Sequence, residues 1–217
     1  MSATNAGPPV TLIDYGGSNI RSVQKAFEHI GANVEVTADP ARVRGASRLV
    51  LPGVGAFGPG IAALRERGLD EVVTDSVTQG VPLLGICLGM QLLFDQSEEM
   101  GQHAGLGLLP GRVLRFQNRP PSGTERGMKI PHMGWNSITI AADNPLLEGV
   151  HQGAHAYFVH SYYCEPQSQA DVLAMSEYGG PFAAIVGRGR IFGIQFHPEK
   201  SQRTGLRILE NYIRMEV

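Results

Sequence analysis

The chain has 217 residues, 42% of them hydrophobic, which is enough for a sizeable core and within the range of one domain. Its formal net charge of −2 gives no electrostatic reason to expect nucleic acid or an anionic membrane surface as a partner. No apolar run of about 18 residues is present, so the sequence predicts no transmembrane helix. The N-terminal residues lack the basic start and apolar centre of a secretory signal. We therefore expect a disordered lead-in at 1–9 and a single cytoplasmic domain at 10–217.

The first half alternates short apolar segments with segments of helical pattern, which is typical of a doubly wound, mostly parallel α/β sheet. A helix is expected at 18–31, with Ser18 as its N-cap and Gly31 just beyond its end. The other expected elements of this half are strands at 10–14, 33–38, 48–53 (stopping at Pro52) and 82–86, and helices at 58–68 and 88–98.

The second half has strand patterns without long helices between them, which adds antiparallel strands to the expected architecture. The segment 182–196 predicts a hairpin that turns at Gly187–Gly189. Apolar residues at helical spacing predict a closing helix at 203–215. The remaining expected strands are 112–116, 135–140, 156–164 and 171–178.

The two cysteines, Cys87 and Cys164, lie in dissimilar contexts, and in a cytosolic chain of this size we expect both to be reduced. Two cysteines are too few for a cysteine-built zinc site, and the sequence gives no reason to expect a metal or a cofactor.

Cys87 stands in the pattern G-x-C-x-G, between an apolar strand and a helical segment. The pattern predicts a nucleophile elbow, in which a sharp turn leaves no room for side chains two residues before and after the nucleophile. A sulfur at the N-terminus of a helix also experiences a partial positive charge, which favours the thiolate. The alternative is a small buried thiol in the core, but the paired glycines favour the nucleophile.

A cysteine nucleophile needs a base, and His197 is the best placed of the seven histidines because it follows the last predicted strand. Glu199 lies two residues on, where its carboxylate can orient the imidazole. His29, His103 and His151 are expected to be solvated. Cys87 and His197 are far apart in the sequence, so their pairing is an inference about the fold.

The segments "GICLGMQLL" and "GIQFHPE" resemble the nucleophile motif and the His–Glu motif of the class I glutamine amidotransferases. The resemblance runs from Val10 to the C-terminal helix and implies a flavodoxin-like fold. It further implies a Cys87–His197–Glu199 triad that hydrolyses the side-chain amide of glutamine through a thioester, releasing glutamate and ammonia.

Four more segments, "DYGGSNI", "LPGVGAF", "PHMGWN" and "YFVHSYY", resemble one subfamily, the glutaminase subunits of imidazole glycerol phosphate synthases. In that subfamily ammonia passes to a separate (β/α)8-barrel subunit, which makes imidazole glycerol phosphate and aminoimidazole carboxamide ribonucleotide in histidine biosynthesis. The resemblance thus implies a heterodimer with such a barrel subunit, with glutamine as the small-molecule substrate.

The resemblance implies an oxyanion hole built from two backbone N–H groups, that of Val54, which follows Gly53, and that of Leu88. Val54 replaces a second glycine that is usual outside the subfamily. We therefore expect the hole to form fully only when the partner and its nucleotide bind. Gln91, one helical turn after Cys87, is expected to recognise glutamine, and Glu99, at the end of the same predicted helix, to contact the substrate amine.

Ser161 and Tyr162 are expected to hold the substrate carboxylate, mainly through backbone groups, while His160 is either a supporting partner or an ordinary strand histidine. The partner interface is expected to include Asn19, the single tryptophan Trp135 and Lys200. Core packing is the alternative for Trp135, and a solvated surface position is the alternative for Lys200.

Two other functions remain open at this stage. One is a different triad glutaminase, for example one that serves pyridoxal phosphate or anthranilate synthesis, which "PHMGWN" and "PGVG" argue against. The other is a flavodoxin-like cysteine peptidase or a non-catalytic interaction protein, and the complete set of Cys87, His197 and Glu199 argues against loss of catalysis.

Overall fold

A computed structural model describes residues 9–17, 19–117 and 128–216. The expected lead-in, apart from Pro9, and the predicted N-cap Ser18 lie outside the described residues. Within the described ranges, no helix has both the length and the apolar character that a membrane crossing requires.

Fourteen strands are present in the described part of the chain: β1 (Val10–Ile13), β2 (Val34–Thr37), β3 (Leu49–Gly53), β4 (Leu83–Cys87), β5 (Phe94–Ser97), β6 (His103–Ala104), β7 (Leu109–Arg115), β8 (His132–Ser137), β9 (Thr139–Ile140), β10 (His155–His160), β11 (Tyr162–Pro166), β12 (Val172–Glu177), β13 (Pro181–Arg188) and β14 (Ile191–Ile194). The α-helices of the same ranges are α1 (Ile20–His29), α2 (Pro40–Arg44), α3 (Phe57–Glu66), α4 (Leu69–Thr78), α5 (Leu88–Leu92) and α6 (Gln202–Arg214).

The main sheet has eight strands in the order β2-β1-β3-β4-β14-β13-β12-β9. The strands from β2 to β14 pair in parallel. The strands β13, β12 and β9 complete the sheet in antiparallel fashion. This architecture confirms the expected α/β class, a mostly parallel sheet with antiparallel strands contributed by the second half.

Helices cover both faces of the main sheet, so its central strands are apolar at nearly every position. Along β3, Val50 packs into one core with Phe27 of α1 and Tyr212 of α6. Its neighbours Leu49 and Leu51 point to the opposite face, where α3 and α4 contribute apolar side chains. The doubly wound arrangement leaves the carboxyl ends of β3, β4 and β14 together at one edge of the sheet.

Two smaller sheets, built mostly from the second half, lie beside this edge. Strands β10 and β8 form an antiparallel pair in which His160 lies opposite His132 and Tyr157 lies opposite Trp135. The other small sheet has the order β11-β7-β5-β6. The two sheets bring segments from the second half against the end of β4.

The predicted helix at 88–98 is wrong, because α5 ends at Leu92 and β5 follows it directly. Strand β5 instead satisfies its backbone by pairing with β7 and β6. Glu99 therefore lies in a loop after a strand rather than at the end of a helix.

Several smaller predictions also need correction. The expected strand at 156–164 is two strands in different sheets, interrupted at Ser161, and the segment 135–140 is likewise divided between β8 and β9. The final hairpin turns at 189–190, and β3 continues one residue beyond Pro52. Helix α4 was not predicted because its valines and threonines, which are β-branched, favour strands.

Candidate active site

Cys87 is the last residue of β4, and α5 begins at the next residue. Its backbone has φ 55° and ψ −110°, a conformation that costs a non-glycine residue on the order of 1–3 kcal/mol. A Cβ added at Gly85 would lie 2.6 Å from the carbonyl oxygen of Gly89, and one at Gly89 would overlap the carbonyl oxygen of Leu51. The two flanking glycines therefore allow the turn to close against its own helix and against β3.

The strand order brings the predicted base to the same edge of the sheet. Strand β14 pairs in parallel with β4, with Ile194 opposite Ile86, so His197 leaves its strand beside the elbow. His197 is 3% exposed, and its Nδ1 lies 2.9 Å from Oε1 of Glu199. The carboxylate reaches the imidazole through a short 3-10 turn at Pro198–Lys200.

The local charges favour a protonated imidazole. Burial alone would lower the pKa of His197, but interactions with the Cys87 sulfur and the Glu199 carboxylate outweigh it and raise this pKa to about 9. Burial likewise opposes ionisation of Glu199, yet the hydrogen bond from His197 keeps the pKa of that carboxyl below its ordinary value. The arrangement therefore places a protonated imidazole beside the sulfur of Cys87, where it can stabilise negative charge that develops on that atom.

Asn19 contributes to this group in a way that the sequence analysis missed. Its Nδ2 donates to Oε1 of Glu199 over 2.9 Å, and its backbone has φ 81°. The carboxylate is thereby fixed from a second direction, by a residue that was expected only at the partner interface. An asparagine two residues after a pair of glycines, at a strand-to-helix junction, was the available signal for an unusual backbone that aims a side chain.

A cavity of about 500 Å³ opens beside the sulfur of Cys87. Its lining includes most of the residues expected to bind substrate, and also two of those expected to face a partner: Val54, Leu88, Gln91, Glu99, Ser161, Tyr162, Asn19 and Lys200. Gly53 is not part of the lining but lies next to Cys87 in the β3–β4 pairing. Residues from the middle, the second half and the C-terminal part of the chain thus converge at one cavity.

Gln91 and Glu99 both make hydrogen bonds within the protein. The Nε2 of Gln91 donates to the carbonyl oxygen of Tyr162 over 3.1 Å and to Oε1 of Gln195 over 3.2 Å. The Oε2 of Glu99 accepts from the backbone N–H of Phe57 over 2.7 Å, at the first residue of α3. Each side chain is therefore held rigidly at the wall of the cavity.

Tyr15 lies beneath the end of β3, where the sequence analysis placed the oxyanion strand. Its hydroxyl is buried and has no hydrogen-bond partner among the described residues. A Cβ added at Gly53 would overlap this hydroxyl. Burial raises the pKa of Tyr15 well above its ordinary value, so the phenol is neutral. No room is left above the phenol for a side chain, so position 53 requires glycine.

This packing predicts a specific rescue. Gly53→Ala should destabilise the fold by about 1–3 kcal/mol because the new methyl group meets the Tyr15 hydroxyl. Tyr15→Phe alone should be nearly neutral, since that hydroxyl forms no hydrogen bond with the described residues. Urea unfolding of both variants and of their combination should show that Tyr15→Phe recovers most of the loss. Equal losses in the single and double variants would contradict the contact.

Trp135 and Lys200 lie on the surface near the cavity. Trp135 is 48% exposed, which excludes the core-packing alternative, and its ring meets that of Tyr157 edge to face at 5.9 Å. The Nζ of Lys200 lies 6.0 Å from the centre of the same Tyr157 ring. The exposed Met133 extends this surface along β8.

Gln195 and His132 are buried polar residues near the site that the sequence analysis did not single out. A glutamine within the apolar run of "IFGIQF" was the available signal for Gln195. In the described ranges, no group of three or more His, Cys, Asp or Glu is arranged to hold a metal ion. Both cysteines are free thiols.

The model of the family "Glutamine amidotransferase class-I" matches residues 11–215. The protein "Imidazole glycerol phosphate synthase subunit HisH" of Geobacillus thermodenitrificans is 52% identical over 209 residues, covering 94% of this chain and 94% of the relative. Its counterparts in Syntrophotalea carbinolica and Salinibacter ruber are 50% and 48% identical, covering 94% and 93% of this chain and 98% and 92% of theirs.

Solved structures support the same fold at lower sequence identity. A glutamine amidotransferase superposes with a TM-score of 0.71 at 21% identity, covering 94% of this chain and 98% of the other. A chain of PurLQS from Thermotoga maritima superposes with a TM-score of 0.71 at 19% identity, covering 95% and 97%. The matched family model and the close relatives place the chain in the class-I glutamine amidotransferases and, among them, in the HisH subunit family of imidazole glycerol phosphate synthase.

Proposed function

We propose that this chain is the glutaminase subunit of an imidazole glycerol phosphate synthase. It hydrolyses glutamine and supplies ammonia to a (β/α)8-barrel subunit, which forms imidazole glycerol phosphate and aminoimidazole carboxamide ribonucleotide in histidine biosynthesis. The observation that carries the proposal is the convergence of Cys87 and His197 at one cavity, with Glu199 hydrogen-bonded to His197, in a chain about half identical to HisH subunits. The relatives favour this function over the other triad glutaminases and over a peptidase.

In the first half of the reaction, the sulfur of Cys87 attacks the side-chain carbonyl carbon of glutamine, and His197 holds the proton that the thiol has lost. The imidazolium then gives this proton to the departing nitrogen, so that ammonia leaves and a glutamyl thioester remains on Cys87. Glu199 keeps the imidazole in the productive orientation and stabilises its charged form through the 2.9 Å hydrogen bond.

In the second half, a water molecule attacks the thioester while His197 accepts its proton. The proton returns to the sulfur as glutamate leaves, which restores the starting state. The oxyanion formed in each half is assigned to backbone N–H groups of Val54 and Leu88. Leu88 suits this role because it is the first residue of α5, where a backbone N–H has no partner within the helix.

The cavity walls suggest how glutamine is oriented. Ser161 and Tyr162 are assigned to the substrate carboxylate, Glu99 to the substrate amine, and Gln91 to recognition of the bound glutamine. Among these four residues only Glu99 carries a carboxylate, and a negative charge suits an ammonium group. A volume of about 500 Å³ is ample for one amino acid and leaves room for ammonia to depart.

The partner surface is assigned to Trp135, Lys200 and Asn19. An exposed tryptophan is typical of a protein interface, where aromatic residues are enriched. Asn19 donates to Glu199 and also lines the cavity, so a partner that moves it would act directly on the triad. This contact offers a physical route by which a partner could raise the glutaminase rate.

The test is a glutaminase assay of the purified chain alone, with the barrel subunit, and with the barrel subunit and its nucleotide ligand. We expect weak glutamate release from the chain alone and a rate at least about tenfold higher in the full complex, consistent with an oxyanion hole completed on assembly. Peptide cleavage independent of the partner, or full activity without it, would contradict the proposal.

A further inference from the structure

A pair of buried histidines lies at the cavity, which His160 lines and His132 does not, and takes no part in the chemistry described above. His132 of β8 and His160 of β10 face each other across the antiparallel pair and are 3% and 6% exposed. The rings that surround them are those of Phe116, Phe158, Tyr178 and Phe182. Two imidazoles in such an apolar setting are costly unless their nitrogens are paired.

The hydrogen bonds of this pair can run in only one direction. The carbonyl oxygen of Tyr162 can only accept, so Nδ1 of His160, at 2.8 Å, must carry the proton. In a neutral imidazole the other nitrogen is then an acceptor, and Nε2 of His160 receives a hydrogen bond from Nδ1 of His132 over 3.0 Å. The Nε2 of His132 in turn accepts from Nδ2 of Asn136 over 3.3 Å.

Both histidines must be neutral for this order of donors and acceptors to exist. Burial lowers the pKa of His132 to about 4 and that of His160 to about 3. The neighbouring His197, which carries positive charge in the triad, acts on His160 in the same direction. A second proton on either ring would place two N–H donors opposite each other, with no acceptor for either.

The chain of hydrogen bonds ends at the wall of the cavity. The carbonyl oxygen of Tyr162 accepts from His160 on one side and from Gln91 on the other, over 2.8 and 3.1 Å. Ser161 is held in addition by its carbonyl, which accepts from the N–H of Phe116 over 3.0 Å. Ser161 and Tyr162 both line the cavity at the break between β10 and β11.

We propose that His132 and His160 are positioning residues that fix the Ser161–Tyr162 backbone for binding the carboxylate of glutamine. The relay runs from Asn136 through His132 and His160 to the Tyr162 carbonyl, and sets the peptide planes on either side of it. This inference rests on the proposed function, because it takes Ser161 and Tyr162 as the substrate-binding backbone. In this proposal the histidine pair strengthens substrate binding and takes no part in proton transfer.

A matched pair of substitutions at His160 separates the relay from simple packing. The amide nitrogen of asparagine can occupy the place of Nδ1, whereas that of glutamine occupies the place of Nε2. His160→Asn therefore keeps the donor to Tyr162, and His160→Gln loses it. In the complex with the barrel subunit, we expect His160→Gln to raise the KM for L-glutamine about tenfold with kcat within about twofold, and His160→Asn to keep a KM near that of the wild type.

His155→Gln is the control, since His155 lies on the same strand but is exposed. It should leave both kinetic constants unchanged. Equal KM values for His160→Gln and the wild type would overturn the proposal, as would equal increases in both His160 variants.

Nitrogen-15 NMR of the wild-type chain tests the relay without any substitution. We expect both His132 and His160 to be neutral and protonated at Nδ1. Protonation of His160 at Nε2 would overturn the relay even if the complex proves to be an active glutaminase. An inactive wild-type complex would instead contradict the proposed function, and the NMR tautomers would still decide whether the relay exists.

Discussion

Replacement of Cys87 by alanine should abolish glutamine hydrolysis while leaving a folded subunit that still binds its partner. The sulfur is the proposed nucleophile and interacts with His197, so its loss should lower the glutaminase rate of the complex by at least about 10⁴-fold. Release of glutamate from L-glutamine measures this loss. The fold should persist, because alanine fits the same turn with a smaller side chain.

The same variant should retain synthase activity when ammonium salts replace glutamine. The barrel subunit then receives ammonia from solution, and only the thioester chemistry has been removed. Loss of ammonia-dependent activity together with loss of partner binding would contradict a purely catalytic role for Cys87. Chromatography of the mixed subunits and the ammonia-dependent rate together separate these outcomes.

Cys164 provides the matched control for this experiment. It is the second free thiol and is 1% exposed in the core, where burial raises its pKa well above the ordinary value. A buried neutral thiol is a poor nucleophile. Cys164→Ala should therefore keep glutaminase activity, and an equal loss in both cysteine variants would show that the effect of Cys87→Ala is structural.

The elbow could be predicted from the sequence because its constraints are local. A side chain at Gly85 or Gly89 would collide with atoms a few residues away or on the adjacent strand. The glycines on both sides of Cys87 therefore indicate the turn directly. The alternation of strands and helices also specifies a parallel sheet, since each helix must cover the strands that it connects. Local pattern thus predicted the class of fold and the position of the proposed nucleophile.

Contacts between distant segments could not be read in the same way. The hydrogen bond from Asn19 to Glu199 and the packing of Tyr15 under Gly53 depend on which strands become neighbours. Strand β5 was mistaken for helix because it contains one apolar residue, Phe94, and so shows no period of its own, and only its pairing with β7 identifies it as a strand. The histidine relay likewise exists only because β8 and β10 pair in one register.

Acid should destabilise the protein well above the pH at which its carboxylates titrate, because of the two relay histidines. Their pKa values are lowered to about 4 and about 3 in the fold, against about 6.5 in the unfolded chain. The unfolded state therefore binds more protons as the pH falls below about 6.5, and the stability contributed by neutral histidines is lost. We expect a loss on the order of 3 kcal/mol between about pH 6.5 and pH 5.

The other titrating groups of the site act outside this window or in the opposite sense. The pKa of His197 is raised to about 9, so its contribution is complete below about pH 6.5 and is lost only as the pH rises through 9. Glu199 has a lowered pKa, so its contribution is lost only in more acidic solution.

Urea unfolding of the wild type and of a His132→Gln/His160→Asn double variant across this range measures the effect. The double variant begins from a lower stability at neutral pH, because its amides fill the aromatic pocket less completely. Its free energy of unfolding should nevertheless change by less than about 1 kcal/mol over the same interval, since neither amide titrates. Parallel curves for the two proteins would assign the acid sensitivity to other groups and contradict the neutral state that the relay requires.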